Sequence, residues 1–142
     1  MKQILPFLHF DGNCREAMEF YKQALGAELF LLPYSGAPGD QTWVTPESRD
    51  RIMHSTLKLG SDAPLLMAAD TMPNSPFNQG SSFAVVIECD SDKEIEAFFA
   101  ALSAGGSVTM PLQDTFWKAR FGMLTDKFGI HWMLNYQLPP QA

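Results

Sequence analysis

Charge is scarce in this 142-residue sequence, and positive charge is scarcer still: charged residues make up 18%, with 10 Lys and Arg against 16 Asp and Glu, for a net charge of −6. An acidic chain without a basic run lacks the electrostatic footprint that grips nucleic acid, so no nucleic-acid partner is expected. No apolar stretch approaches the roughly 20 residues that span a bilayer. The opening MKQILPFLHFDGN carries no secretory hydrophobic segment with a cleavage site, which points to a cytoplasmic protein with no membrane partner. Only two cysteines occur, Cys14 and Cys89. They make no disulfide framework and match no zinc spacing. Cys14 falls in the first turn of an expected helix, where the macrodipole favours a thiolate, although an ordinary small residue on a helix flank is the simpler reading.

What is abundant is apolar side chain. Hydrophobic residues make up 46%, including 11 Phe and 8 Met, a composition suited to an adaptable, aromatic-rich interior. The length fits one domain, and such a chain hides roughly 70% of its unfolded surface without needing disulfides or a structural metal.

The sequence carries a repeat. Asn13-Cys14-Arg15-Glu16 reads as a helix start, with Asn13 as N-cap and Glu16 closing a capping box, and Ser91-Asp92-Lys93-Glu94 reads the same way 78 residues on. The same offset relates Phe20 to Phe98, Tyr21 to Phe99 and Pro33 to Pro111. Apolar stripes of helical period follow each start: Ala17, Phe20, Tyr21 and Ala24, then Ile95, Phe98, Phe99 and Leu102. Glycines stop both helices, Gly26 in one and Gly105-Gly106 in the other.

Strand-like runs flank the helices. Ile4 to Phe10 and Ser82 to Cys89 precede them; Ala27 to Leu32 and Ser107 to Met110 follow. Ile52 to Leu59 with Leu65 to Ala69, and Phe116 to Thr125 with Ile130 to Asn135, complete the halves, joined by turns at Ser61-Asp62-Ala63-Pro64 and Asp126-Lys127-Phe128-Gly129. Each half reads strand, helix, strand, strand, strand, so the expected architecture is a duplicated α+β unit within a single domain over 1–142. Module one covers about 1–71, a linker about 72–80, and module two about 81–136. A long loop, Tyr34 to Asp50, has no counterpart in the second half, and loops of that size are usually functional or mobile.

Three stretches, FDGNCREAMEFYKQALGAE, MHSTLKLG and VTMPLQDTFWKARFGMLTDKFGIHWMLN, resemble the PhnB-like branch of the vicinal oxygen chelate (VOC) superfamily. That superfamily includes glyoxalase I, bleomycin resistance proteins, fosfomycin resistance proteins and extradiol dioxygenases. The resemblance runs from about Ile4 to Asn135 and implies two tandem βαβββ modules forming a curved, cup-shaped sheet, commonly as a homodimer. In metal-dependent relatives a His or Glu comes from the first and last strands of each module. Carried onto this chain, those positions fall on Pro6, on Ser82 or Ala84, on Met67 and on Met133. Proline cannot ligate, and a thioether is a soft donor unsuited to hard divalent cations. No metal site and no cofactor are therefore expected, a divalent metal being the alternative.

Three histidines remain. Strand alternation puts His131 and Asn135 on the face of Met133, joins His54 to Thr56 and Lys58, and puts Pro6 and Leu8 on the cup side with His9 on the helix-covered side. They read as unrelated histidines with local partners, as a zinc set, or, for His54, as a ligand-binding or proton-transfer group. The densest polar and aromatic cluster is Asp114, Thr115, Trp117, Lys118 and Arg120. It reads either as a pocket wall gripping an anionic or planar ligand, or as a strand and turn that pair Asp114 with Arg120 and pack Trp117 on a partner subunit. Trp43, with Tyr34, is a candidate lid. Asp70 and Asp126 read as turn starters, and Trp132 as core. The ligand-binding candidates are thus His54, Trp43, Asp114, Trp117, Arg120, His131 and Asn135, with no catalytic residue identified.

The expected function is small-molecule binding without the VOC metal, as in bleomycin resistance proteins. The alternative is a metal-dependent enzyme acting on a small oxygenated substrate. Similar chains have been described as 3-demethylubiquinone methyltransferases. A Rossmann-like methyltransferase needs a glycine-rich turn opening a helix, whereas Gly105-Gly106 closes one.

Overall fold

The structure, a computed structural model, describes residues 1–60 and 63–140. The chain forms two compact units, Met1–Gln79 and Gly80–Ala142. In the first, β1 (Phe7–Phe10), α1 (Cys14–Leu25), β2 (Glu28–Pro33), β3 (Ile52–Leu59) and β4 (Ala63–Asp70) follow one another. In the second come β5 (Val85–Glu88), α2 (Asp92–Ser103), β6 (Ser107–Asp114), β7 (Ala119–Thr125) and β8 (His131–Gln137). The strand orders are β1-β4-β3-β2 and β5-β8-β7-β6. The first strand pairs parallel with the last, and the other pairs are antiparallel. Each unit is a βαβββ module, so the α+β duplication expected from the sequence is present.

In each unit the helix covers one sheet face. In unit one Cys14, Ala17, Met18 and Tyr21 of α1 are buried, as are Leu8, Phe10, Ser55, Leu57, Leu66 and Ala68 of the strands. In unit two Ile95, Phe99 and Leu102 of α2 are buried with Leu124, Trp132 and Leu134. Trp132 is core, as alternation predicts. Helix and sheet approach closely at Gly122, where a Cβ would lie 2.7 Å from the Phe99 ring.

The helices start and stop where their sequences say, but they are capped differently. Ser91 Oγ accepts the Glu94 N–H at 3.1 Å, and Glu94 reaches back to the Asp90 N–H at 3.0 Å. Asn13 makes no side-chain cap. Its work is done by Asp70, 4% exposed, whose Oδ1 accepts the N–H groups of Gly12 (2.8 Å) and Cys14 (3.0 Å) while Oδ2 accepts that of Ile52 (2.8 Å). Asp70 therefore ends β4 and ties it to α1 and β3; it does not begin a turn. Asp126 does begin one, accepting from Phe128 and Ile130 N–H and from the Trp132 indole at 2.8 Å.

Several boundaries differ from expectation. β1 starts at Phe7 and not Ile4, β5 at Val85 and not Ser82, and β6 extends to Asp114. Phe116 and Trp117 form the hairpin turn before β7, because Lys118 takes a left-handed φ of 61° and Thr115 closes the loop onto Ala119. Of the turn placed at 61–64, Ser61 and Asp62 lie outside the described residues, and Ala63 and Pro64 open β4.

Candidate functional site

The face of each sheet turned away from its helix is open. In unit one the register sets Phe7 beside Met67, Met67 beside Thr56 and Thr56 beside Phe30, with His9 and His54 one step along. The Phe7 ring lies 5.0 Å from His9 and 6.3 Å from His54 between centroids. His54 Nε2 meets Thr56 Oγ1 at 3.1 Å. This reverses the sequence assignment for the first strand: Leu8 faces the helix and is 1% exposed, whereas His9 is on the open side. The strand is only four residues long, Phe7–Phe10, and the expected facing was one residue out of register, a slip that exchanges faces. A pocket of about 400 Å³ opens beside Phe7 and Met67, walled by Lys2, Gln3, Leu5 and Pro6.

In unit two the open face runs Val86, Met133, Met123, Met110 across one row and Glu88, Asn135, Phe121, Gln113 across the next. Asn135 donates to Glu88 Oε2 at 2.9 Å. At the other end Thr125 and His131 are cross-strand partners, with Oγ1 to Nδ1 at 2.8 Å. A second pocket of about 400 Å³ lies here, between the strands and the segment Ser81–Ala84. Phe83, Met123, Thr125, His131 and Met133 line it. His131 and Asn135 thus share the face of Met133, as expected, while Phe7, Phe83, Met123, Thr125 and Glu88 were not singled out from the sequence. The cross-strand register reveals four of them, and the pocket lining reveals Phe83.

The other candidates lie elsewhere. Arg120 is opposite Asp114 in register but pairs with α2, with Asp92 at 3.1 Å and Glu96 at 2.9 Å. These contacts, the Asp92 hydrogen bond first, raise its pKa above the ordinary guanidinium value. Asp114–Arg120 is therefore a backbone pair without an ion pair, and the structure does not bring Arg120 or Asp114 onto the open face. Trp117 sits at the hairpin turn, 5.8 Å from Phe121 on that face and 5.0 Å from Phe116. Trp43 packs edge-on against Tyr34 at 5.6 Å within the long loop. That loop is tied down by Gln41, which donates to the Ser35 and Ala37 carbonyls, and by the buried Ser48 with Thr45.

Cys14 is fully buried against Ser55, and burial pushes its thiol up to about 12. Desolvation, with the Asp70 charge, outweighs the lowering hydrogen bond from Ser55, so Cys14 stays a thiol despite its place in the first turn. Burial likewise raises Cys89 to about 12, with help from Glu94, Glu88 and Asp90.

Only side chains on one face can meet at a metal. Beside Met67 that residue is Phe7, and beside Met133 it is Val86. None of these four offers an oxygen or nitrogen donor, and among the described residues no group of three His, Cys, Asp or Glu is placed to hold a metal. At these four positions the side chains offer no hard donor.

A family model described as 3-demethylubiquinone-9 3-methyltransferase matches residues 2–135. The chain belongs to that family. It is 34% identical to Protein YjdN of Escherichia coli (strain K12) over 93% of both chains. It is 44% identical to PA1353 from Pseudomonas aeruginosa, whose crystal structure matches with a TM-score of 0.83 over 98% of this chain and 100% of that one. A PhnB protein from Bacillus cereus is 27% identical, with a TM-score of 0.75 over 95% and 99% of the two chains. In fold alone, this PhnB-like chain resembles a glyoxalase/bleomycin resistance protein/dioxygenase family enzyme from Burkholderia phytofirmans (14% identical, TM-score 0.59, 96% and 100% covered). The same holds for the fosfomycin resistance protein FosX of Listeria monocytogenes, solved with Mn(II) (11%, 0.60, 96% and 93%). The PhnB-like chain therefore has the VOC fold. No helix among the described residues is long and apolar enough to cross a membrane.

Proposed function

We propose that this PhnB-like protein binds a small molecule on its open sheet faces without a VOC-type metal ion. The observation that carries this reading is the row Val86–Met133–Met123 beside a pocket of about 400 Å³, within the size range of small-molecule sites. Apolar side chains, Met67 and Met133, stand where the resemblance to metal-dependent relatives implies hard donors, and they favour desolvating a ligand over polarising it.

The family's description speaks for a methyl-transfer reading, but the strand-to-helix junctions speak against it. A dinucleotide-type cofactor site presents free backbone N–H groups at a helix start. Here Asp70 occupies those of Gly12 and Cys14, and Ser91 that of Glu94.

The test is native mass spectrometry with elemental analysis on protein purified without chelators. A co-purifying or added small organic ligand with substoichiometric metal is expected. Stoichiometric zinc, nickel or manganese, or micromolar S-adenosylmethionine binding by calorimetry, would overturn the reading.

A further inference from the structure

We infer that His131 is the polar anchor of the unit-two pocket, and that the pocket selects a planar aromatic or conjugated molecule bearing one anionic oxygen group, such as a carboxylate or phenolate. This rests on the binding reading above and adds the ligand's chemical class.

The lining supplies two kinds of contact. Phe83 and the paired Met123 and Met133 give an apolar, polarisable wall, and thioethers make favourable contacts with aromatic rings. Against that wall stand the hydroxyls of Ser81, Ser82, Thr109 and Thr125 and one imidazole. His131 is the single titratable side chain in the lining. Its neighbour in sequence across the turn, Asp126, is 3% exposed and is turned to the other side, where Trp132, Phe128 and Ile130 hold it. No carboxylate in the lining competes for the imidazole.

Thr125 fixes the ring. With Nδ1 held at 2.8 Å by Thr125 Oγ1, Nε2 is the nitrogen left for a ligand, and the hydroxyl can donate to or accept from Nδ1 as the ring changes charge. A histidine is the side chain that changes charge between pH 5 and 8. A protonated imidazole gives an anion a charge-assisted contact, shorter and stronger than the one a neutral ring gives. The sequence supplies the pair through the short turn Asp126–Gly129, which returns the chain so that Thr125 and His131 face each other.

The experiment is titration calorimetry with 2-naphthoate and with its neutral analogue 2-naphthamide at pH 5.5 and 8.0, on the unaltered protein, His131→Gln and Thr125→Val. The carboxylate is expected to bind about tenfold more tightly at pH 5.5 than at 8.0, as a charge-assisted hydrogen bond allows. The amide should show no such change. His131→Gln should flatten the pH dependence, and Thr125→Val should weaken carboxylate binding at both pH values. The pH profile of the unaltered protein is a readout that does not depend on either variant folding. Equal binding of acid and amide, or a pH dependence that survives His131→Gln, overturns the inference while leaving the binding reading intact. If neither probe binds, the inference falls; the binding reading falls with it only if native mass spectrometry also finds no bound organic molecule.

Discussion

At the scale of single residues, Asp70 is the most heavily used side chain in unit one. Its two oxygens satisfy three backbone N–H groups from two separate segments, the start of α1 and the start of β3, all buried or partly so. Hydrogen bonds to an ionised group contribute about 1.5–3 kcal/mol each, and a buried donor left without a partner costs about 1–3 kcal/mol. Asp70→Ala should therefore destabilise the protein by about 3–4 kcal/mol in urea unfolding. Asp70→Asn should cost less, since one amide oxygen can still serve Gly12 and Cys14 while its nitrogen faces the Ile52 N–H. A loss under 1 kcal/mol for the alanine variant would show that this carboxylate is not the cap described. The sequence pointed at the right end of the right helix but named Asn13, because the true cap lies 56 residues away from Cys14. Local spacing rules see i to i+3 and nothing further.

At the scale of elements, the repeat shows what a sequence can and cannot yield. The 78-residue offset holds exactly for the helix bounds, Cys14 to Asp92 and Leu25 to Ser103. It fails by one for the facing of the first strands. The open-face residues Phe7 and His9 correspond to Val86 and Glu88, because three residues separate the core-facing Phe10 from α1 and only two separate Cys89 from α2. Helix phase is set by many residues with a 3.6 period, whereas a four-residue strand carries only two residues per face. Hence His131, Met133 and Asn135, in a seven-residue strand, face as expected, while Leu8 and His9 do not. Arg120 makes its ion pairs with α2 and not with Asp114 for a related reason: β7 alternates its faces, and residue 120 points at α2. Its pairs with Asp92 and Glu96 involve carboxylates more than half exposed, at 58% and 56%, so solvent screens them. Arg120→Ala should lower stability by about 1 kcal/mol or less and leave 2-naphthoate affinity within twofold, measured by thermal unfolding and calorimetry. A tenfold affinity loss would return Arg120 to the binding site.

At the scale of the whole molecule, the open faces pose a solvation problem that one chain does not solve. Phe7, Phe30, Phe83 and Val86 are 41%, 52%, 53% and 51% exposed, and Phe116 and Trp117 at the hairpin turn are 93% and 48% exposed. Exposed apolar residues scattered singly are unremarkable, but Phe7, Phe30 and Val86 lie on the faces opposite the helices, and such a grouping suits a surface that meets a partner. Aromatic residues are also the type enriched where protein surfaces meet. Each unit already places its best packing on the helix side, so a second surface is the means left for covering the other. We propose a homodimer as the working state. Multi-angle light scattering should then give twice the 15.8 kDa of the chain at low micromolar concentration, and Phe116→Ser with Trp117→Ser should shift the equilibrium toward monomer without loss of circular dichroism signal. If the unaltered protein has the mass of one chain from micromolar to near-millimolar concentration, these faces stay open in solution, and ligand alone must desolvate them.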